Sequence, residues 1–128
     1  MKTHVLLEYL EQDDLEDMSL LMLVQKAAAV QNVMLCDVIS ISFSHTEVAF
    51  SRQEMDELLQ ACPKLTNLDL SYTHFGGDPY VEWLVEWSNQ EGNTVTIIDT
   101  WRAVKLKERL VKQNRLKRPS SVIVEISA

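Results

Sequence analysis

Ile41-Ser42-Phe43-Ser44-His45-Thr46 is followed by Leu68-Asp69-Leu70-Ser71-Tyr72-Thr73, then by Val95-Thr96-Ile97-Ile98-Asp99-Thr100 and Val122-Ile123-Val124-Glu125-Ile126-Ser127. The first positions of these segments, 41, 68, 95 and 122, are 27 residues apart each time. Apolar residues largely alternate with small or polar ones, the period-two pattern of a strand with one buried face. Self-similarity at a fixed period in the twenties signals stacked units of one strand and one helix. Such units generally present a surface to another macromolecule rather than enclose a pocket for chemistry.

Strands are predicted near Val38–Phe43, Leu65–Leu70, Val95–Ile98 and Val122–Ile126, with three helices between them. The first helix opens on a capping box, Ser51 and Glu54, runs through Met55, Leu58, Leu59 and Cys62, and stops at Pro63. The second opens with Asp78-Pro79, carries Val81, Leu84 and Val85 inward, and has a stop signal at Gly92. The third is predicted over Ala103 to Lys117, with Val104, Leu106, Leu110 and Val111 facing inward. Parallel strands joined by short connections need a helix in each crossover. Right-handed crossovers of equal length put successive strands side by side with every helix on one face. Residues 1–37 break the period, since one step back from Ile41 lands on Asp14, which does not suit a core strand. They read as a helical cap: Asp13 and Glu16 as a capping pair, a helix through Leu15, Leu20, Leu21, Leu23, Val24 and Ala28, and a shorter helix or turn from Val5 to Leu10 before it. The expectation is a single α/β domain over 1–128, a short solenoid of about four parallel strand–helix repeats from residue 38 behind that cap.

A chain of 128 residues, 46% of them hydrophobic, fits one globular domain. No apolar run approaches the roughly eighteen residues that span a bilayer, and Glu8 interrupts the opening apolar stretch, against a signal peptide. Cys36 and Cys62 make no disulfide framework and are expected to be reduced, buried thiols of a cytoplasmic protein. The net charge of −7 is unevenly spread: Trp101 to Arg118 holds eight basic residues and one acid, the rest of the chain four basic residues and eighteen acids. Acidity on that scale disfavours nucleic acid. The basic segment 101–118 suits an acidic partner, such as the N-terminal end of another copy. His4, His45 and His74 give no tetrahedral ligand set with the cysteines, so no metal is expected. With no glycine-rich phosphate loop and no G-x-S-x-G elbow, neither a cofactor nor an enzyme is expected.

Cys62-Pro63-Lys64-Leu65-Thr66-Asn67-Leu68-Asp69-Leu70-Ser71-Tyr72-Thr73-His74-Phe75 resembles a leucine-rich repeat of the cysteine-containing type, with Leu65, Leu68, Leu70 and Phe75 in its apolar slots and Thr73 at the turn. Val38, Ile41, Phe43, Thr46 and Val48 fill the same slots one period earlier. Later units keep Val95, Ile97 and Thr100, then Val122, Val124 and Ser127. The resemblance implies a binding module, and members of this type are often F-box substrate adaptors of ubiquitin ligases. Leu6 to Leu20 is loosely similar to the middle of an F-box, without its Leu-Pro opening. A second resemblance is to sulfate-transporter and anti-sigma-factor-antagonist domains, which place a strand like Leu68–Ser71 before a helix and a further strand like Asn93–Ile97. That likeness implies a regulatory domain with helices around a mixed sheet. The family's phosphorylated hydroxyl is missing from Phe75-Gly76-Gly77-Asp78-Pro79.

If the core residues of each strand point inward, their neighbours form a concave, hydrogen-bonding face for a protein partner. Ser42 and Ser44, Asn67, Asp69 and Ser71, and Thr94, Thr96 and Ile98 are its central candidates, with Ser40, Ser121, Ile123 and Glu125 around them. Tyr80, Trp83 and Trp87 make a second stripe on the middle helix, and Trp83 and Trp87 are candidate anchors on its flank.

Overall fold

The structure, a computed structural model, describes residues 3–7, 18–43, 51–71, 78–99 and 101–126. Strands β1 (His4–Leu6), β2 (Ser40–Ser42), β3 (Asn67–Asp69), β4 (Thr94–Asp99) and β5 (Val122–Ile126) form one all-parallel sheet in chain order. Helices α1 (Leu20–Val30), α2 (Arg52–Ala61), α3 (Asp78–Ser88) and α4 (Trp101–Lys112) lie in the four crossovers. The 27-residue spacing is the register of the sheet: Ile41 pairs with Leu68, Leu68 with Val95, and Val95 with Val122. Among the described residues the sheet is all-parallel, which differs from the mixed sheet expected of the antagonist-type alternative.

The sheet has five strands rather than four, and the N-terminal segment is not a purely helical cap. His4–Leu6 is a strand where a helix or turn was expected, and Val5 pairs with Ile41. That pair is 36 residues apart (41 − 5), nine more than the repeat, which is why counting back one period fell on Asp14. α1 starts at Leu20 with Ser19 as its N-cap; the expected Asp13–Glu16 cap and Leu15 lie outside the described residues.

Val5, Ile41, Leu68, Val95 and Val122 make one row across all five strands, each at most 3% exposed. Burying such side chains stabilises the fold by about 1.5–3 kcal/mol apiece. Two positions on, Leu7, Phe43, Leu70 and Ile97 are also buried. The helices cover this side. α1 buries Leu20, Leu23, Val24, Ala27 and Ala28, a stripe at helical spacing, and packs on α2, which packs on α3.

Helix ends explain the remaining boundaries. Asn32 and Asn114 have φ of 58° and 55°, a left-handed conformation that asparagine tolerates better than most residues. After α1, the Val33 N–H donates to Ala28 O at 2.8 Å and the Asn32 N–H to Ala29 O at 3.3 Å. After α4, the Arg115 N–H donates to Leu110 O and the Asn114 N–H to Val111 O, both at 3.0 Å. This paired closure terminates a helix, so α4 ends at Lys112 and not at Lys117. Its inward residues are Ala103 and Leu110, with Leu106 half-buried; Val104 is half-buried and Val111 is 42% exposed, contrary to expectation.

Glu54 serves two helices. Its own N–H donates to the N-cap Ser51 Oγ at 3.2 Å, and its Oε2 accepts the Leu20 N–H at 3.0 Å, satisfying a free donor at the start of α1. Gln31 does similar work at the sheet edge: its Oε1 accepts the Leu6 N–H at 3.1 Å and its Nε2 donates to Leu6 O at 2.8 Å. A side-chain amide thus stands where a sixth strand would otherwise pair. Of the two free cysteines, only Cys62 is buried; Cys36 is exposed in the 3-10 turn Leu35–Asp37, correcting the expectation of two buried thiols.

Glu54→Ala should lower stability by about 1–2 kcal/mol, the range for a lost cap and hydrogen bond, measured by urea unfolding. A thiol reagent should modify Cys36 in the native protein and Cys62 only after unfolding, as resolved by peptide mass spectrometry. Burial pushes the Cys62 thiol up to about 11 from 9.0. The unfolded chain therefore releases that proton first, and the stability tied to it is complete below pH 9 and is lost as the pH rises toward 11. Cys62→Ala should show a shallower fall than the unsubstituted chain across that window.

Candidate binding face

Because the core row faces the helices, the alternate residues of each strand lie on the opposite side of the sheet. The register sorts them into rows. His4, Ser40, Asn67 and Thr94 form the first; Leu6, Ser42, Asp69, Thr96 and Ile123 the second; Ile98 and Glu125 pair in a third. All are half-buried or exposed, while their helix-side neighbours Val5, Ile41, Leu68 and Val95 are buried. Neighbouring strands are about 4.8 Å apart, so the second row runs about 19 Å from Leu6 to Ile123, apolar at both ends and polar between.

Asp69 occupies the middle of that row. Its Oδ1 accepts the Ser71 N–H at 2.9 Å and its Oδ2 accepts the Ser42 hydroxyl at 3.4 Å. The carboxylate is thereby fixed in place with acceptor capacity to spare for a donor or cation from outside. The surrounding hydroxyls and the Asn67 amide both donate and accept, which suits hydrogen bonding to a peptide segment.

Ser42, Asn67, Asp69, Thr94, Thr96 and Ile98 are brought together on this face as expected from their spacing, and Ser44 lies outside the described residues. Ser71 is not on it. It is 2% exposed, and its Oγ accepts the Ile98 N–H at 2.8 Å, carrying the β3–β4 pairing beyond the end of β3. Ser121 is likewise buried, donating to Ser88 O at 2.9 Å.

Trp83 and Trp87 are core residues rather than flank anchors. Each is 3% exposed, and their rings stack with centroids 5.7 Å apart and planes at 13°. Between Val81 and Ser88 only Glu82 and Glu86 are exposed. Glu86 pairs with Arg52 of α2 at 2.6 Å, and Glu82 pairs with Arg115 beyond α4. Asn89 ties down that same segment, donating to Arg115 O and accepting the Lys117 N–H, both at 2.9 Å. Over residues 81–88, α3 therefore has neighbours on both sides and no free flank for Trp83 or Trp87, while the side chain of Tyr80, the third member of the expected stripe, lies outside the described residues.

His4 and Leu6 were missed because β1 is only three residues long and lies off the period. The available signal was Val5 and Leu7, apolar at i and i+2 like Ile41 and Phe43. Among the described residues no group of three or more His, Cys, Asp or Glu is placed to hold a metal ion. No helix among them is long and apolar enough to cross a membrane. Comparison with protein-family models, with curated proteins and with solved structures finds no significant match.

Proposed function

We propose that this chain is a non-catalytic, leucine-rich-repeat-like interaction module that binds a protein partner through the open side of its parallel sheet. The observation that carries this reading is the register: from β2 to β5 each residue pairs with the one 27 positions on, so like positions of successive units share rows. A rigid array of this kind has little side-chain and backbone freedom left to lose on association. The partner segment that fits has backbone or side-chain hydrogen-bonding groups along the rows, a cation opposite Asp69, and apolar residues over Leu6 and Ile123. A reducing compartment such as the cytoplasm suits two unpaired cysteines.

The test is capture of partners from the native cells by the chain and by Ser42→Arg/Asp69→Arg/Thr96→Arg. The triple variant should lose a partner at least tenfold. Since Asp69 also holds the Ser71 N–H, Asn67→Arg/Thr96→Arg should be run beside it, leaving that bond intact and the melting temperature within a few degrees of the parent. A partner lost from both variants supports the strand face; partners retained by both would overturn it.

A further inference from the structure

The edge of the sheet formed by β5 is built unlike the edge formed by β1. Val104, Val111 and the half-buried Val124 of β5 line a groove of about 350 Å³ between α4 and the strand. Lys107 and Lys112 stand along it with Glu108, and Lys105 and Arg109 lie on the adjoining surface of α4. It is an apolar floor with a cationic rim, at the opposite edge from the strand that Gln31 caps.

The chain itself carries the complement. Residues 8–17 read Glu-Tyr-Leu-Glu-Gln-Asp-Asp-Leu-Glu-Asp: six carboxylates, no base, and three large apolar residues, Tyr9, Leu10 and Leu15. This segment leaves β1 at Leu7 and rejoins the described structure just before α1. β1 and β5 are separated by the whole sheet, about 19 Å. From Leu7 to Met18 the chain has eleven steps (18 − 7), at most about 40 Å fully extended. A round trip of about 38 Å to its own groove would therefore draw the segment almost straight, whereas the groove of a second copy is reached without that stretch.

We infer that the α4/β5 groove receives the acidic segment Glu8–Asp17 of a second copy. The carboxylates meet Lys105, Lys107, Arg109 and Lys112, and Tyr9, Leu10 or Leu15 covers the floor of Val104, Val111 and Val124. The two surfaces differ and lie at opposite edges, so the contact is heterologous: copies add in an open series unless the rotation between them closes a ring or a reciprocal pair. Its electrostatic part weakens as salt shortens the screening length.

Sedimentation of the full chain from about 1 µM to 1 mM, at low and at about 0.5 M salt, tests this. The expected result is a mass that grows with concentration at low salt and falls back toward the monomer at high salt. Val111→Asp should abolish that growth, as should Lys107→Glu/Lys112→Glu, with circular dichroism unchanged. Replacing Tyr9, Leu10 and Leu15 by Ser keeps the segment's charge and should also abolish it. A labelled peptide of residues 7–18 should bind the full chain and lose at least tenfold in affinity for the two groove variants. A chain monomeric throughout the range would overturn the inference, including one whose groove captures some other acidic peptide. Association untouched by the groove substitutions would overturn it equally.

Discussion

The buried row Val5–Ile41–Leu68–Val95–Val122 is the constraint from which the rest of the molecule follows. Three of the five strands are only three residues long, so backbone pairing alone holds little of the sheet together. What fixes each strand is the one or two side chains it inserts beneath the helices. Side chains in a strand alternate with period two, so slipping any strand by one residue would bring Ser40 or Ser42, Asn67 or Asp69, Thr94 or Thr96 into the core. The same constraint that buries the row therefore also sets out the polar array on the other side. Core and candidate binding face are two readings of a single register.

Short strands leave many backbone groups to be satisfied by other means, and side chains take over that work repeatedly. Gln31 answers the outward-facing Leu6 peptide, Ser71 receives the Ile98 N–H where β3 has ended, and Asn89 bridges Arg115 and Lys117. Glu54 ties the starts of α1 and α2 to each other. Each such bond is worth only about 1 kcal/mol net, but leaving a buried group without a partner costs more. This is why Ser71, Ser88, Asn93 and Ser121 can be buried: each is engaged, Asn93 by donating to Trp87 O at 3.0 Å and Ser88 to Val85 O at 3.3 Å. Residues that look from the sequence like solvated serines on a docking face thus divide into two groups. Those within the strands stay on the face, and those just beyond the strand ends are drawn into backbone repair.

That division marks the limit of what the chain discloses before its structure is known. The 27-residue period was legible because it is a property of covalent spacing, and it located β2 to β5 and six of the eight central face candidates. The Ser51–Glu54 cap was legible because capping depends on neighbours in the chain. β1 was hidden because its crossover is longer and its strand offers only Val5 and Leu7 as apolar signal. The end of α4 was misplaced because asparagine, unlike glycine, is an ambiguous stop, and only the bonds around Asn114 decide it. The tryptophans were misplaced for a tertiary reason: whether a helix has a free flank depends on the segment 115–121, which no local pattern ties to α3.

The charge distribution acquires a direction once the strands are laid out in order. A chain whose units stack in sequence converts any difference between its two ends into a difference between two edges of the sheet. Here the basic helix lies at one edge and the strongly acidic segment departs from the other, about 19 Å away across the strands. The screening length at physiological ionic strength is about 8 Å, so a charge fixed at one edge of the sheet scarcely acts on the other, and the crowding of like charges on the basic helix opposes the fold slightly. The polarity gains energetic weight only when a second surface comes within a screening length of either edge. The two edges are also unequal in their capacity to accept one, since Gln31 occupies the hydrogen-bonding groups of Leu6 while the valines beside β5 are left partly exposed. An ordered parallel sheet with one blunted edge and one apolar, cationic edge is therefore directional in its interactions, whatever binds across its open face.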